Sequence, residues 1–404
     1  MDAMKIKVGV FFGGNSVEHE ISVISALQAV RAMDREKYDI IPVYITRDNK
    51  YYCGEKIEDI ENYSNISELL KASQQVILVK GNQRIELYKF PFGMFSNKPY
   101  DYIDIAFPIV HGTNVEDGAL QGFLQYFGVP VVGSDVLASA VGMDKYVMKV
   151  LLKEEGIPVL DGLRINIFEY ESDEKAVLDK IEARFSYPVI VKPINLGSSV
   201  GIKIGHDRTG LEEALKYAFD YSTDILIERA VTNLREINCA VLGDSEEAIP
   251  SECEEPFNSD EILSYQDKYL STGASKGMAS VKRQLPADIP ADIRDQIRNL
   301  AVKTFKALRC NGTVRIDFMI DGDTGKVYVN EVNTIPGSLA FYLWKASGIE
   351  YKELLTRMIQ LALKRTREKN AISFEYDTNI LNGFSFGGSK GEKLKGGKIS
   401  RNLN

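Results

Sequence analysis

Residues 313–334 read TVRIDFMIDGDTGKVYVNEVNT, two β-rich runs around a turn of Gly and Asp, which is a strong hairpin signal. Side chains alternate across a strand, so Arg315 and Asp317 share one face, as do Glu331 and Asn333. Two carboxylates and an amide oxygen beside an arginine suit hard Mg²⁺ ions that carry phosphate oxygens. A solvated outer face of an edge hairpin explains any one of these residues, but it explains four on a shared face less well.

The register of the two strands decides whether the two polar faces meet. If Ile320 pairs with Lys326, opposed residues have numbers of equal parity, and the four polar side chains converge. The other face is then largely apolar and carries Val314, Ile316, Phe318, Tyr328 and Val332.

The composition narrows the function classes. A net charge of −8 over 404 residues argues against general binding to nucleic acid or to an anionic membrane surface. The four cysteines form no CxxC pair, which favours a reducing cytoplasm as the location. No apolar run approaches the roughly 18 residues that a membrane helix needs.

The organisation of the chain predicts about two or three domains of mixed α/β and α+β class. Residues 5–45 read as strand, turn, helix and strand, the opening of a doubly wound parallel sheet, and this first domain is expected to span 1–135. Alternating strands and helices follow from residue 136. The polar stretch 255–283 is typical of a lid or binding loop, and the Gly-, Lys- and Ser-rich stretch 373–404 of a flexible tail.

Three further segments carry possible chemistry. The Gly- and Ser-rich turn after Lys192 can hold phosphates with its backbone amides, although no Walker A pattern is present. Residues 13–18 lack the GxGxxG spacing of a nicotinamide site, yet they place amides at a helix N-terminus. His111 follows a strand, at the sheet edge where ligands of open α/β folds bind, although a capping role is about as good an interpretation for one histidine.

Together these segments resemble the D-alanine–D-alanine ligase family of the ATP-grasp superfamily. The matching pieces occur in the family's order and cover nearly the whole chain before residue 370. They are GGNSVEHEIS (13–22), HGTNVEDGALQGFLQYFGVPVVGS (111–134), SAVGMDK (139–145), VKPINLGSSVG (191–201), REINCAVLG (235–243), QDKY (266–269), GTVRIDF (312–318) and NEVNTIPG (330–337). The resemblance implies an ATP-grasp fold, with a substrate-binding domain at 1–135, a central subdomain at 136–222 and a C-terminal subdomain at 223–372.

The resemblance also implies a role for each matched residue. Two Mg²⁺ ions, with Mn²⁺ as an alternative, are assigned to Asp317, Glu331 and Asn333. Contacts to ATP are assigned to Lys145, Lys192, Ser199, Glu228, Glu236 and Lys268. A hydrogen-bonded set that joins the N-terminal domain, phosphate loop and lid is assigned to Glu18, Ser198 and Tyr269. Substrate and oxyanion contacts are assigned to Glu18, His111, Arg315 and Gly337.

The implied reaction joins two D-alanines through an acyl phosphate, for peptidoglycan precursors, in a cytoplasmic enzyme that is commonly a homodimer. The chain departs from the family's pattern after Gly337, where the loop before a Ser-Leu pair is about four residues shorter. Alignment across that gap assigns Ser338 and Leu339 to the carboxylate of the second substrate. Tyr269 favours an amino acid over D-lactate as the acceptor.

Other functions remain open at this point. Ligation of D-alanine to D-serine or to another amino acid belongs to the same class. A catalytically silent ATP-binding module is a different class, which the intact set of lysines, arginine and carboxylates disfavours. A nicotinamide-dependent oxidoreductase lacks its dinucleotide fingerprint.

Overall fold

The computed structural model describes residues 5–93, 98–197, 199–256 and 283–373. Contacts divide the chain into two units, Met1–Thr366 and Arg367–Asn404, and all the described sheets belong to the first. Most of the predicted lid and nearly all of the predicted tail lie outside the described residues. No helix in the described ranges is long and apolar enough to cross a membrane.

The described strands and helices alternate through most of the chain. The strands are β1 (Ile6–Gly13), β2 (Tyr38–Ile45), β3 (Tyr51–Cys53), β4 (Gln74–Lys80), β5 (Ile85–Lys89), β6 (Asp101–Ile103), β7 (Ile105–Pro108), β8 (Gly162–Asn166), β9 (Val189–Pro193), β10 (Lys203–Gly205), β11 (Asp224–Arg229), β12 (Leu234–Gly243), β13 (Ala248–Pro256), β14 (Arg283–Gln284), β15 (Gly312–Asp321) and β16 (Lys326–Asn333). The helices are α1 (His19–Ala32), α2 (Ile66–Lys71), α3 (Ala119–Tyr126), α4 (Val136–Met143), α5 (Lys145–Glu154), α6 (Ile167–Ser172), α7 (Glu174–Arg184), α8 (Arg208–Phe219), α9 (Ala291–Ala307), α10 (Phe341–Ala346) and α11 (Tyr351–Asn370).

The N-terminal sheet has seven strands in the order β6-β5-β4-β3-β2-β1-β7. Strand β1 pairs in parallel with β2 and β7, as the strand-helix-strand opening predicts. Strands β3 to β6 extend the sheet by antiparallel pairing, in a region where the sequence shows little regular pattern. The α/β prediction is confirmed, with a parallel centre of three strands. The loops after β1 and β7 leave the same edge, because parallel strands end on the same side.

Two antiparallel sheets follow along the chain. The first has the order β10-β9-β11-β8 and the second the order β14-β13-β12-β15-β16. Each sheet has its own buried apolar cluster, because one face is covered by helices such as α8 on the first sheet and α9 on the second. The three sheets come from consecutive stretches of sequence, while the domain boundaries themselves remain a prediction.

The register of the β15–β16 hairpin differs from the predicted one near the turn, and a bulge shifts it by one residue farther along the strands. Near the turn, Ile320 pairs with Val327, not with Lys326, so opposed residues there have numbers of unequal parity. Beyond Asp317 the register shifts by one, and Asn330 is the extra residue. The shift moves Val327 and Val329 into the core, whereas Tyr328 was predicted there and lies partly exposed instead. It also restores equal parity at the open end of the hairpin.

Candidate active site

The open end of the hairpin brings together the four polar residues that the strand alternation predicts on one face. Arg315 lies opposite Asn333, and Asp317 lies opposite Glu331. The Arg315 guanidinium donates to both carboxylate oxygens of Asp317, from Nε at 2.6 Å and from Nη2 at 2.7 Å. Burial alone would lower the pKa of Arg315, but the charge of Asp317 raises it well above its ordinary value. The arginine therefore carries its positive charge at any working pH.

The chemistry of this edge fits Mg²⁺. Asn333 Nδ2 donates to Asp317 Oδ2 at 3.0 Å, and the other end of that amide is an oxygen acceptor. With the carboxylates of Asp317 and Glu331, the edge presents only hard oxygen ligands. Within the described residues, no group of three His, Cys, Asp or Glu residues could hold a metal ion, and the donor set at this edge consists of two carboxylates and one amide oxygen.

Lysines approach the same edge from helix α5 and strand β9. Asp144 caps α5 through its side chain, which accepts from the backbone N–H groups of Tyr146 and Val147, and this fixes Lys145 at the first turn. Lys145 Nζ lies 3.6 Å from Glu331 Oε2 and also donates to the carbonyl of Leu196 at 2.6 Å. The ammonium group of Lys145 and the carboxylate of Glu331 thus lie within a few ångströms of each other. Transfer of a metal-bound phosphoryl group requires cations and metal-binding carboxylates this close together.

A buried glutamate holds two further lysines. Glu228 is 0% exposed and binds Lys149 through Oε1 and Lys192 through Oε2, the second at 2.5 Å. Lys192 also reaches Asn330, the residue of the bulge, at 3.5 Å. The resemblance assigns Glu228 to the border of the adenine, and here its carboxylate is engaged by lysines. We call Lys149, Lys192 and Glu228 the Glu228 cluster.

The charges in the Glu228 cluster depend on one another. Burial alone would raise the pKa of Glu228, but Lys149 and Lys192 lower it below its ordinary value. Burial lowers the pKa of Lys149 to about 8, against the opposing effect of Glu228 and with help from the charge of Lys192. Sequence reasoning missed Lys149, although its place one helical turn after Lys145, on the face of the buried Met148 and Leu152, was a usable signal.

The glycine-rich turn after Lys192 lies against the N-terminal domain. Lys145 N donates to the carbonyl of Ile194 at 2.8 Å, so α5 and the turn are tied together. A Cβ on Gly197 would lie 3.3 Å from Glu18 Oε2, so the turn and the Glu18 carboxylate are in close contact. Ser199 has a positive φ of 60° within the same turn. Ser198, Lys268 and Tyr269 lie outside the described residues, and their assigned roles stay predictions.

His111 connects the N-terminal sheet to the loop after β16. Its ring bonds the backbone of Ile335, and its Nε2 lies 2.9 Å from Ser25 Oγ. Burial lowers the pKa of His111 to about 4, so the ring is neutral near pH 7. Because a carbonyl can only accept, the neutral ring donates to Ile335 and accepts from the Ser25 hydroxyl. Ser25 in turn accepts from the backbone N–H of Ser338 at 2.9 Å.

Glu116 is a second buried acid that sequence reasoning missed. Its Oε2 accepts from Gly112 N at 3.0 Å and its Oε1 from Ile335 N at 3.1 Å, so it joins the same two loops. Burial, reinforced by the charge of Glu18, raises the pKa of Glu116 to about 8. Its place in the matched segment 111–134 was a usable signal, but only the contact with Ile335 shows what it connects.

The shortened loop folds into a left-handed turn, residues 338–340, with φ of 51°, 54° and 50°. Left-handed backbone costs roughly 1–2 kcal/mol for each residue other than glycine. The turn is fully buried against α1, and Trp344 behind it donates to Thr313 Oγ1 at 2.8 Å. Ser338 N is bound to Ser25, and Leu339 N donates to the Pro336 carbonyl at 2.7 Å.

One cleft collects most of the predicted residues. Those that line it are Glu18, His111, Lys145, Glu236, Arg315, Asp317, Glu331, Asn333 and Gly337. Of the other predicted residues that the structure describes, some lie outside that lining, namely Lys192, Ser199, Glu228, Ser338 and Leu339. Further lining residues that sequence reasoning missed are Glu116, Asn238, Glu254, Arg283 and Asn330.

The cleft lies at the open end of the five-stranded antiparallel sheet, where Lys145 faces the carboxylate of Glu331, an arrangement typical of ATP-grasp ligases. Residues 7–134 match the model of the D-ala D-ala ligase N-terminus, and residues 151–360 match that of the D-ala D-ala ligase C-terminus. The chain therefore belongs to the D-alanine–D-alanine ligase family.

Individual relatives agree with the family models. The D-alanine–D-alanine ligase of Thermosipho melanesiensis is 39% identical over 93% of this chain and 98% of its own length. The structure of the D-alanine-D-alanine ligase from Coxiella burnetii superposes with a TM-score of 0.76, at 30% identity, over 91% of this chain and 97% of its own. The VanG D-Ala:D-Ser ligase from Enterococcus faecalis follows at 0.75 and 32%, over 89% of this chain and 100% of its own.

Proposed function

We propose that this chain joins two D-alanine molecules into D-alanyl-D-alanine at the expense of ATP, for peptidoglycan precursors. The observation that carries the proposal is the meeting of Lys145 and Glu331 at 3.6 Å, beside the Arg315–Asp317 pair. This is a site where phosphate oxygens can lie between cations and metal-binding carboxylates. Family membership supplies the identity of the amino acid.

The first step activates a carboxylate. One carboxylate oxygen of the donor D-alanine attacks the γ-phosphorus, the bond to the β–γ bridging oxygen breaks, and ADP leaves. Lys145 and Lys192 lower the cost of bringing two anions together, because each places a positive charge near the transferring group. Mg²⁺, held by Asp317, Glu331 and Asn333, would neutralise charge on the phosphate oxygens.

The second step forms the peptide bond. The neutral amine of the acceptor attacks the carbonyl carbon of the acyl phosphate, a tetrahedral oxyanion forms, and phosphate leaves as the nitrogen loses a proton. Arg315 and the backbone of Gly337 stabilise that oxyanion in this proposal, since both line the cleft beside the metal edge. An acyl phosphate hydrolyses in water, so the predicted lid with Lys268 and Tyr269 would protect it.

The N-terminal domain would hold the donor. Glu18 is buried and faces the glycine-rich turn, which suits the ammonium group of a first amino acid. His111 is neutral and fully engaged by Ser25 and Ile335, so it would shape this pocket without charging it. Ser199, Glu228 and Glu236 keep their proposed places in nucleotide binding.

The test is direct. Protein mixed with ATP, Mg²⁺ and D-alanine is expected to release one phosphate for each D-alanyl-D-alanine formed, measured by phosphate assay and mass spectrometry. If the protein binds ATP but forms no dipeptide, the ligase proposal is wrong and the catalytically silent ATP-binding module is favoured. Replacing Mg²⁺ by Mn²⁺ or by chelator checks the metal assignment, because chelator is expected to abolish both products.

The acceptor has one specific alternative. The left-handed turn at 338–340 replaces the longer loop that the resemblance assigns to the second substrate, so D-serine or another amino acid is the second candidate acceptor. A panel of D-amino acids, each competing with D-alanine at equal concentration, separates the candidates by dipeptide mass.

We further propose a cytoplasmic homodimer with subdomains at 136–222 and 223–372. All four cysteines, Cys53, Cys239, Cys253 and Cys310, are buried free thiols, which fits a reducing compartment. Light scattering after size exclusion measures the mass in solution, and a mass near 45.2 kDa would refute the dimer.

A further inference from the structure

A second buried glutamate lies on the same sheet as the metal edge. Asn238 pairs directly with Asp317 on one side and with Glu254 on the other, so the three residues form a row across β15, β12 and β13. Asp317 and Glu254 are two strands apart, roughly 10 Å. The row leads from Asp317 to Glu254, and all three residues line the cleft.

Glu254 is 2% exposed and collects three side chains. Asn238 Nδ2 donates to its Oε1 at 3.1 Å, and the Tyr342 hydroxyl donates to the same oxygen at 2.9 Å. Arg283 Nη1 donates to its Oε2 at 2.8 Å. We call these four residues, Asn238, Glu254, Arg283 and Tyr342, the Glu254 cluster.

Arg283 is the cation of this cluster and lines the cleft. Its guanidinium carbon lies 3.8 Å from the centre of the Tyr342 ring, and its side chain is 11% exposed. Stacking and the Glu254 contact fix the plane of the guanidinium. A guanidinium carries five N–H donors and can pair with a further carboxylate while it is bound to Glu254.

The position of Arg283 matches what an acceptor amino acid needs. The amine of the acceptor must reach the carbonyl near Arg315, so its own carboxylate lies a few ångströms farther along the cleft. Asn238 of the Glu254 cluster pairs with Asp317, which binds Arg315, and both Glu254 and Arg283 line the same cleft as Arg315. The Glu254 cluster therefore adjoins the reacting centre. A cation is required there, because the carboxylate of the acceptor would otherwise be buried without a partner.

The left-handed turn offers little in comparison. Ser338 and Leu339 are each 1% exposed, and neither is among the described residues that line the cleft. Both backbone amides already donate, to Ser25 and to Pro336. A carboxylate bound there would have to break these contacts and open a strained, fully packed turn.

We propose that Arg283, oriented by Glu254 and Tyr342, binds the carboxylate of the second amino acid. The acceptor is thereby selected as an α-amino acid, and Arg283 takes over the contact that the shortened loop no longer makes. This inference rests on the proposed ligase function.

The experiment compares two nucleophiles. D-Alanine carries the carboxylate, whereas hydroxylamine attacks the same acyl phosphate without one and gives a hydroxamate. In Arg283→Met, the KM for the acceptor D-alanine is expected to rise at least about 30-fold, the loss typical of a removed buried charge partner. Hydroxamate formation from donor D-alanine and ATP is expected to stay at the wild-type rate. Arg283→Lys keeps the charge but not the bidentate fork, so its KM should lie between the two.

Two variants guard against a purely structural effect. Arg283→Met leaves Glu254 buried without its cation, so the double variant Glu254→Gln with Arg283→Met removes that unpaired charge and should show the same split. Arg235→Met is the matched control, because Arg235 pairs with Glu255 at 2.7 Å on β12 and β13, is 38% exposed and lies outside the cleft lining. Its acceptor KM is expected to equal that of the wild type.

The outcomes separate the two proposals. An unchanged acceptor KM in Arg283→Met, with dipeptide formed by the wild type, overturns this inference alone. Equal loss of dipeptide and hydroxamate in the double variant, at a wild-type melting temperature, overturns it as well. If the wild type forms neither product while it binds ATP, the ligase function itself is wrong.

Discussion

Two buried glutamates each bind cations, Glu254 on the cleft lining and Glu228 outside it, and their surroundings differ in charge. Glu228 lies between two lysines, so the Glu228 cluster carries a net positive charge when both are protonated. Glu254 meets a single arginine and two neutral donors, so the Glu254 cluster is neutral. A polyphosphate brings several negative charges and needs the excess of cations. A single acceptor carboxylate needs one well-aligned guanidinium, and a larger positive charge there would bind the nucleotide as well.

The largest effect is expected at the metal edge, away from both clusters. Glu331→Gln removes a proposed metal ligand and the carboxylate that faces Lys145, so turnover should fall by about 1,000-fold or more. Phosphate release at saturating substrates measures it. Glu213→Gln, at a 63% exposed side chain on α8, is the control and should match the wild type. Wild-type turnover in Glu331→Gln would contradict the metal assignment.

Glu228→Gln should change ATP binding and leave acceptor binding unaffected. It leaves Lys149 and Lys192 buried without a counter-charge, so the free energy of unfolding should fall by about 3–5 kcal/mol. ATP affinity should fall because Lys192 loses its fixed position, while the acceptor KM at saturating ATP stays unchanged. Urea denaturation and calorimetric ATP titration give the two values. A shift in acceptor KM of similar size would show that the two clusters do not act separately.

Lys149→Met tests the same cluster with a smaller effect and a pH signature. The KM for ATP should rise about tenfold, the equivalent of one charge-assisted hydrogen bond. Since the lowered pKa of Lys149 is about 8, its charge is present below that pH and is lost above it. The ATP KM of the wild type should therefore increase as the pH rises through about 8. Lys149→Met should lack this rise in the KM for ATP. Identical pH profiles of the variant and the wild type would refute a contribution of the Lys149 charge to ATP binding.

Tyr342→Phe is expected to have the smallest effect, and this effect should be confined to acceptor binding at the Glu254 cluster. It removes the 2.9 Å hydrogen bond to Glu254 while it keeps the ring on which Arg283 stacks. Loss of one neutral hydrogen bond predicts a threefold to tenfold increase, roughly, in acceptor KM. ATP affinity should not change. Steady-state kinetics with each substrate varied in turn tests both statements, and an effect on ATP alone would reverse the proposed division of the cleft.

The phosphate-binding residues and the Glu254 cluster also differ in how much of each the sequence predicted. Lys145, Lys192 and the hairpin residues lie in short motifs whose spacing and residue types indicate phosphate chemistry. The Glu254 cluster joins residues from β12, β13, β14 and α10 that are far apart in sequence and in no shared motif. Long-range contacts of this kind cannot be read from local patterns, because spacing along the chain carries no information about which strands become neighbours.

The hairpin gives a second example of what local patterns do not predict, a register shift of one residue. Alternation in the sequence predicts a polar face with Arg315, Asp317, Glu331 and Asn333, and the structure places these four together. The predicted pairing of Ile320 with Lys326 is wrong, and a regular ladder in the observed register would have separated the two polar faces. The bulge at Asn330 reunites them. Nothing in the local pattern indicates the bulge, which the structure shows together with the burial of Val327 and Val329 in the core.

The sequence by itself determined the α/β class, the family and the residue types available for phosphoryl transfer, because these depend on composition, periodicity and motif order. Tertiary structure alone decided the bulge, the pairing of Lys149 with Glu228, the left-handed turn at 338–340 and the placement of Arg283 on the cleft. The physical reason is burial. A buried charge must find a partner, and a strained turn must be held by its neighbours, wherever in the chain those partners lie.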